Sequence, residues 1–169
     1  TPLPRRRTDN ARAYGMVCKS LFLDGTLDCN AEYLNIFRET EDALDAQTEL
    51  YQISDFSRFL LRTVDADALT ARRKSNYAQL KRALSALGVS PICRIAQTDC
   101  PLVLPIWAEN RGALRSYLMD HRIYCAVHWP FDGVQAEERP LAQRMAAHML
   151  SLPIDQRYDA EHIAYLTDT

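Results

Sequence analysis

The stretch "HWPFDG", His128 to Gly133, follows the apolar run "RIYCAV" and sets one of the chain's two tryptophans between a histidine and a proline. A tryptophan offers a flat apolar or stacking surface and a histidine a group that titrates near neutral pH, so the placement of His128 and Trp129 at the mouth of a strand raises the question of what they face. Arg157 and Tyr158, in "PIDQRYD", offer a second such pair, because a guanidinium can fork onto both oxygens of a carboxylate or phosphate. Each has a plainer use as well. Trp129 could plug a junction between sheet and helices with His128 as a half-buried donor, and Arg157 could tie down Asp155 or Asp159 to fix a turn.

The other reactive residue types make weaker patterns. Cys125 and His128 are three apart on a presumptive strand and so face opposite sides, which excludes a nucleophile and base pair. His121, His128, His148 and His162 are far apart in sequence, and the five cysteines form no C-x-x-C pair, so no metal framework is readable. Asp65 with Asp67, and Glu137 with Glu138, fit helix starts better than paired catalytic acids. Dinucleotide, phosphate-loop, nucleophile-elbow and metalloprotease motifs do not occur, and five glycines leave little for phosphate-cradling loops.

Composition narrows the class further. The chain has 169 residues and is 47% hydrophobic, enough for one domain with an extension. A net charge of -2, with basic residues spread among acids, gives no footprint for nucleic acid. Arg5, Arg6 and Arg7 read as a solvated arm. The cysteines read as reduced thiols of a cytoplasmic protein, and no apolar run reaches the ~20 residues of a membrane helix. The start at "TPLPRRRTDN", without Met or signal peptide, suits a piece of a longer or processed protein.

The elements that must position these residues fall into two textures. From about Asp9 to Leu87 the period is helical. Tyr33, Leu34, Phe37, Glu41 and Leu44 mark one face capped by Asn30, and Ser54 caps a second helix with Phe56, Phe59, Leu60 and Val64 along one side. A third helix is expected from Asp65 to Leu87, with Leu69, Arg73, Asn76, Tyr77, Leu80 and Leu84 in a stripe and Gly88 as its stop. Arg73, Asn76 and Tyr77 share a side suited to bonding a neighbouring loop or another domain.

Beyond Gly88, short apolar segments alternate with short helices. "SPICRIA", "PLVLPIWA" and "IYCAVHW" are expected as strands, with Pro105 suiting an edge or bulge, and "LSLPI" as a strand or a bridge. Helices are expected in "NRGALRSYLMDHR", capped by Asn110 with Leu114, Tyr117 and Leu118 buried, in "EERPLAQRMAAHMLS", and in "DAEHIAYLTD", capped by Asp159. The fold class is α+β: a small, mainly antiparallel sheet covered by helices, preceded by a helical N-terminal extension.

Taken in order, "ARRKSNYAQLKRAL" (71–84), "PLVLPIWAENRGALRSYLMDHRIYCAVHWP" (101–130) and "LSLPIDQRYDAEHIAYL" (150–166) resemble the C-terminal small domain of fold-type-I aminotransferases dependent on pyridoxal phosphate, DegT-type sugar aminotransferases in particular. The resemblance implies a helical connecting segment over 1–64 and the small domain over 65–169. It implies that His128, Trp129, Arg157 and Tyr158 contact the substrate, and that the intact protein, a homodimer, moves an amino group from an amino acid to a keto substrate such as a nucleotide-linked keto-sugar. In that family pyridoxal phosphate is held by a lysine of a large domain. The lysines here, Lys19, Lys74 and Lys81, lack that context, so the chain alone is expected to be inactive and to bind no cofactor. The large domain of the same protein would be its partner, with neither nucleic acid nor membrane expected. A non-catalytic ligand-binding or interaction module derived from the same fold is the alternative, and another reaction of the cofactor a further one.

Overall fold

The computed structural model describes residues 3–4, 10–128 and 139–169. The fold is α+β, and the chain divides into two compact units, Thr1–Val64 and Asp65–Thr169.

The first unit is helical: α1 (Ala11–Leu23), α2 (Asn30–Asp45) and α3 (Asp55–Thr63). Cys18 meets Cys29, Gly15 lies against Ile36 and Phe37, and Arg12 pairs with Glu41 at 2.6 Å. Those pairings run in opposite chain directions, so α1 and α2 form an antiparallel hairpin, turned at Gly25 with its φ of +71°. Its core is small: Cys18, Cys29 and Tyr33, flanked by Phe22 and Phe37. Two expectations change here. Cys29 rather than Asn30 precedes the first turn of α2, without a side-chain cap, and Leu34 and Leu44 of the expected face are exposed. Ser54 does cap α3, accepting from Ser57 N, yet α3 buries no residue, and Phe59 is 61% exposed. Three short helices do not supply enough surface to cover that stripe, and α1, α2 and α3 border an open apolar groove of about 1140 Å³.

The second unit is built on α4 (Ala66–Ala86), the expected helix. Asp65 caps it by accepting from Ala68 N, and it buries Asn76, Tyr77, Leu80 and Leu84. At its end Val89 N bonds Leu84 O and Gly88 N bonds Ser85 O, with Gly88 at φ +76°. That paired closure needs a left-handed residue, which glycine adopts without strain.

Strands β1 (Val103–Trp107) and β2 (Met149–Pro153) pair antiparallel, Leu104 opposite Leu152 and Ile106 opposite Leu150. Pro105 sits opposite Ser151 without cost. Ser151 N bonds Ala126 O on the side away from β1, and Pro105 O accepts from Ile92 N on the side away from β2. In an antiparallel ladder a residue's N–H and C=O face the same neighbour, so the missing proline N–H falls outside this pair. "SPICRIA" does not become a strand, nor do residues 123–128, the described part of "IYCAVHW". Each contributes one bridge, Pro91 to Ile106 and Ala126 to Ser151, because each touches the sheet edge over a single residue pair.

Around the sheet lie α5 (Arg111–Asp120), α6 (Pro140–His148) and α7 (Ala160–Asp168), with Asn110 capping α5 and Asp159 capping α7. Leu80, Leu104, Leu150, Ile154 and Ile163 are at most 1% exposed and form the centre of the core. Each such side chain removed from water stabilises the fold by about 1.5–3 kcal/mol. Tyr117, expected inside, is 47% exposed and turns its hydroxyl to Thr169 O.

Candidate functional site

The turn after β2, Ile154 to Asp159, is held by α4. Asn76 is 2% exposed, and its Nδ2 donates to the carbonyls of Ile154 (3.2 Å), Asp155 (3.1 Å) and Tyr158 (2.9 Å). Arg73, one turn earlier, reaches Gln156 Oε1 at 2.8 Å, so the side shared by Arg73 and Asn76 bonds a neighbouring loop. Gln79 Nε2 donates to Ala160 O and extends the same clamp into α7.

Inside the turn, Arg157 donates from Nε to Asp155 Oδ1 and from Nη2 to Oδ2, both at 2.8 Å, while its backbone N–H adds a bond to Oδ1. Burial would raise the Asp155 carboxyl, but the hydrogen bonds from Arg157 and the charges of Arg157 and Arg73 outweigh it and hold the group below the usual carboxylate range. The same fork raises the Arg157 guanidinium. Arg157 thus fixes the turn with two of its donors and keeps half its side chain in solvent, with Nη1 uncommitted to Asp155. Its Cζ lies 5.5 Å from the centroid of the Tyr158 ring, within cation–π range. Burial pushes the Tyr158 phenol up.

The sequence-expected residues are therefore placed unevenly. Arg157 and Tyr158 are brought into contact. His128 lies beyond the bridge residue Ala126, half-buried, and is not a lining residue of the cleft described next. Trp129 lies outside the described residues. Cys125 is buried, and burial pushes its thiol up to about 11, opposite to what a thiolate nucleophile requires.

Two features escaped the sequence reading. His121 and His162, 41 positions apart, border one cleft of about 270 Å³ with Ile123, Tyr124, Tyr158 and Tyr165. Only the tertiary docking of α7 beside the segment after α5 brings them together, so no local spacing announces it. Trp107 stacks on His148 with ring centroids 4.6 Å apart, gives its Nε1–H to Glu109, and has Arg144 5.5 Å from its ring centroid. Its signal was a tryptophan at the end of an alternating strand, where its face can meet the residue entering the partner strand.

Among the described residues no group of three or more His, Cys, Asp or Glu could hold a metal ion, and no helix is long and apolar enough to cross a membrane. Lys19 and Lys81 lie over aromatic rings, and Lys74 donates to Gln97 O. None of the three lines the cleft in the second unit or the groove in the first. A Schiff base with pyridoxal phosphate needs a desolvated amine facing a cavity, and neither the cleft nor the groove offers a lysine for one.

No protein-family model matches the chain, and no curated protein matches it. Among solved structures it is similar to a Streptococcus pneumoniae protein assigned as a sugar aminotransferase, in the PMP form, at 15% identity and a TM-score of 0.48. That similarity covers 60% of this chain and 30% of the other, so the chain spans less than a third of that protein's length.

Proposed function

We propose that the chain is the C-terminal small domain, with its helical connection, of an aminotransferase-like protein dependent on pyridoxal phosphate. The whole protein would transfer an amino group from an amino acid to a keto substrate, with nucleotide-linked keto-sugars the first class to test. One observation carries the reading: two of the sequence stretches behind the family resemblance, "ARRKSNYAQLKRAL" and "LSLPIDQRYDAEHIAYL", are joined by the Asn76 clamp on the 154–158 turn. The contact sets the two stretches side by side in one unit, which supports reading them as parts of a single small domain.

On this reading the cofactor, which supplies the electron sink for amino transfer, is held by a large domain of the same protein, and the intact assembly is a cytoplasmic homodimer. The residues of this chain would bind and orient. Arg157, with its fork committed to Asp155, would present Nη1 and a fixed positive charge to a substrate carboxylate or phosphate. Tyr158, His128 and Trp129 would contribute aromatic and hydrogen-bonding surface to the same wall.

The test is to read the coding sequence upstream of Thr1 for a strand-borne Asp and a Ser/Thr-rich loop with a lysine, then express that frame with pyridoxal phosphate. A visible absorption band that glutamate bleaches, and an Arg157→Gln variant with raised KM for the amino donor, are the expected results. A frame without such a segment, or a whole protein with no such band, rejects the reading.

A further inference from the structure

Helices α4 and α5 end in the same closure with different residues. After α5, Ile123 N bonds Leu118 O and Arg122 N bonds Met119 O, matching the Val89 and Gly88 bonds after α4. The left-handed position is Gly88 in one and Arg122, at φ +61°, in the other. An arginine there is strained where a glycine would not be, and such an outlier is a reason to ask what the side chain does.

Arg122 lines the cleft of about 270 Å³ beside α7. The hollow has an apolar floor, including the buried Ile123 and Ile163, and tyrosine walls that include Tyr124, 70% exposed, and Tyr165, 53% exposed. Its edges are already fixed. Tyr165 donates its hydroxyl to His121 O at 3.2 Å, and Tyr158 is anchored through its carbonyl by Asn76. Arg122 is exposed at this rim, and no salt bridge engages its guanidinium among the described residues.

The geometry points to a binding site for a small aromatic carboxylate: a single ring against the apolar floor and tyrosine walls, with its anion on the Arg122 guanidinium. The volume admits a one-ring molecule, and a guanidinium at an apolar rim with no ion pair among the described residues selects a planar anion over a neutral body. This site stands apart from the aminotransferase reading and does not depend on it.

Phenylacetate and its neutral isostere phenylacetamide are the probes, titrated into the ¹⁵N-labelled 169-residue chain. Saturable amide shifts with phenylacetate are expected at residues 121–124 and 158–166. Arg122→Gly should raise the melting temperature by relieving the left-handed strain, weaken phenylacetate about tenfold, and leave phenylacetamide unchanged. The proposal is overturned by phenylacetate shifts that do not saturate or lie elsewhere, or by an Arg122→Gly variant that weakens both probes alike or neither.

Discussion

Nδ2 of Asn76 lies 2.9 Å from the carbonyl oxygen of Tyr158, 82 residues further along the chain. The same nitrogen serves Ile154 O and Asp155 O, so one buried amide satisfies the polar backbone of a turn that has no ladder of its own. Asn76→Ala removes the donor and should cost about 1–3 kcal/mol in urea unfolding. Asn76→Asp keeps the size but turns acceptor oxygens toward three carbonyls, so it should cost more than Ala. Equal stability of the Asp and Ala variants would mean that the amide does not hold the turn.

Asp155 and Arg157 carry the pH dependence of that turn. Because the folded carboxyl is held below its usual range, the unfolded chain takes up a proton first as pH falls. The contribution to stability is full above the ordinary aspartate range, around pH 4, and is lost as pH drops through and below it. Arg157→Gln should cost about 1–2 kcal/mol at neutral pH, kept small because its side chain is half in solvent. Unfolding measured from about pH 6 to about pH 3 should show a shallower acid slope in that variant than in the parent. Parallel slopes would count against the pairing.

Parts of this architecture are written locally, and those parts were legible. Ser54, Asn110 and Asp159 each cap the helix that their position announces, and the stripe ending at Gly88 names the buried side of α4, because a cap or stripe depends on residues within one or two turns. "SPICRIA" (90–96) and the described part of "IYCAVHW" (123–128) were overread as strands, since apolar content permits pairing while the neighbour's register decides how many residues pair. Phe59 illustrates the opposite failure: its helical spacing is right, but what covers a stripe is a property of other elements. Arg157 was legible as either ligand or tie, and its geometry adopts the tie while leaving Nη1 outside the fork. The cleft beside α7 could not be read at all, because His121 and His162 meet only through the docking of separate elements.

Thiol labelling should divide the five cysteines by burial. Cys93 and Cys100 are exposed, whereas Cys18, Cys29 and Cys125 are buried, and burial pushes the Cys125 thiol up to about 11 and raises that of Cys29, with the neighbouring Cys18 adding to the second shift. With iodoacetamide at about pH 8, mass spectrometry should find two rapid and three slow sites. Among the slow three, Cys18 and Cys29 should react before Cys125, since their core holds three buried residues and opens locally at lower free energy than the larger core around Leu80. Amide exchange should follow, with weak protection in α1 to α3 and strong protection in α4. Cys125 labelling ahead of Cys18 would reverse the stability order argued here.

Gly15 tests how closely α1 approaches α2. A Cβ built there would lie 2.9 Å from Ile36 Cγ2 and 3.0 Å from Phe37 Cε1, inside ordinary contact distance. In an exposed helix interior Gly→Ala gains about 1 kcal/mol from propensity, while forcing a methyl into a filled interface costs typically 1–3 kcal/mol. The overlap with a β-branched side chain and a ring edge should win, so Gly15→Ala is expected to lower amide protection across α1 and α2. Phe37→Leu in the same chain frees the ring's space and should recover part of the loss, a coupling that two independent effects would not show. If Gly15→Ala instead strengthens protection, the hairpin is looser than this contact requires, and propensity alone governs the position.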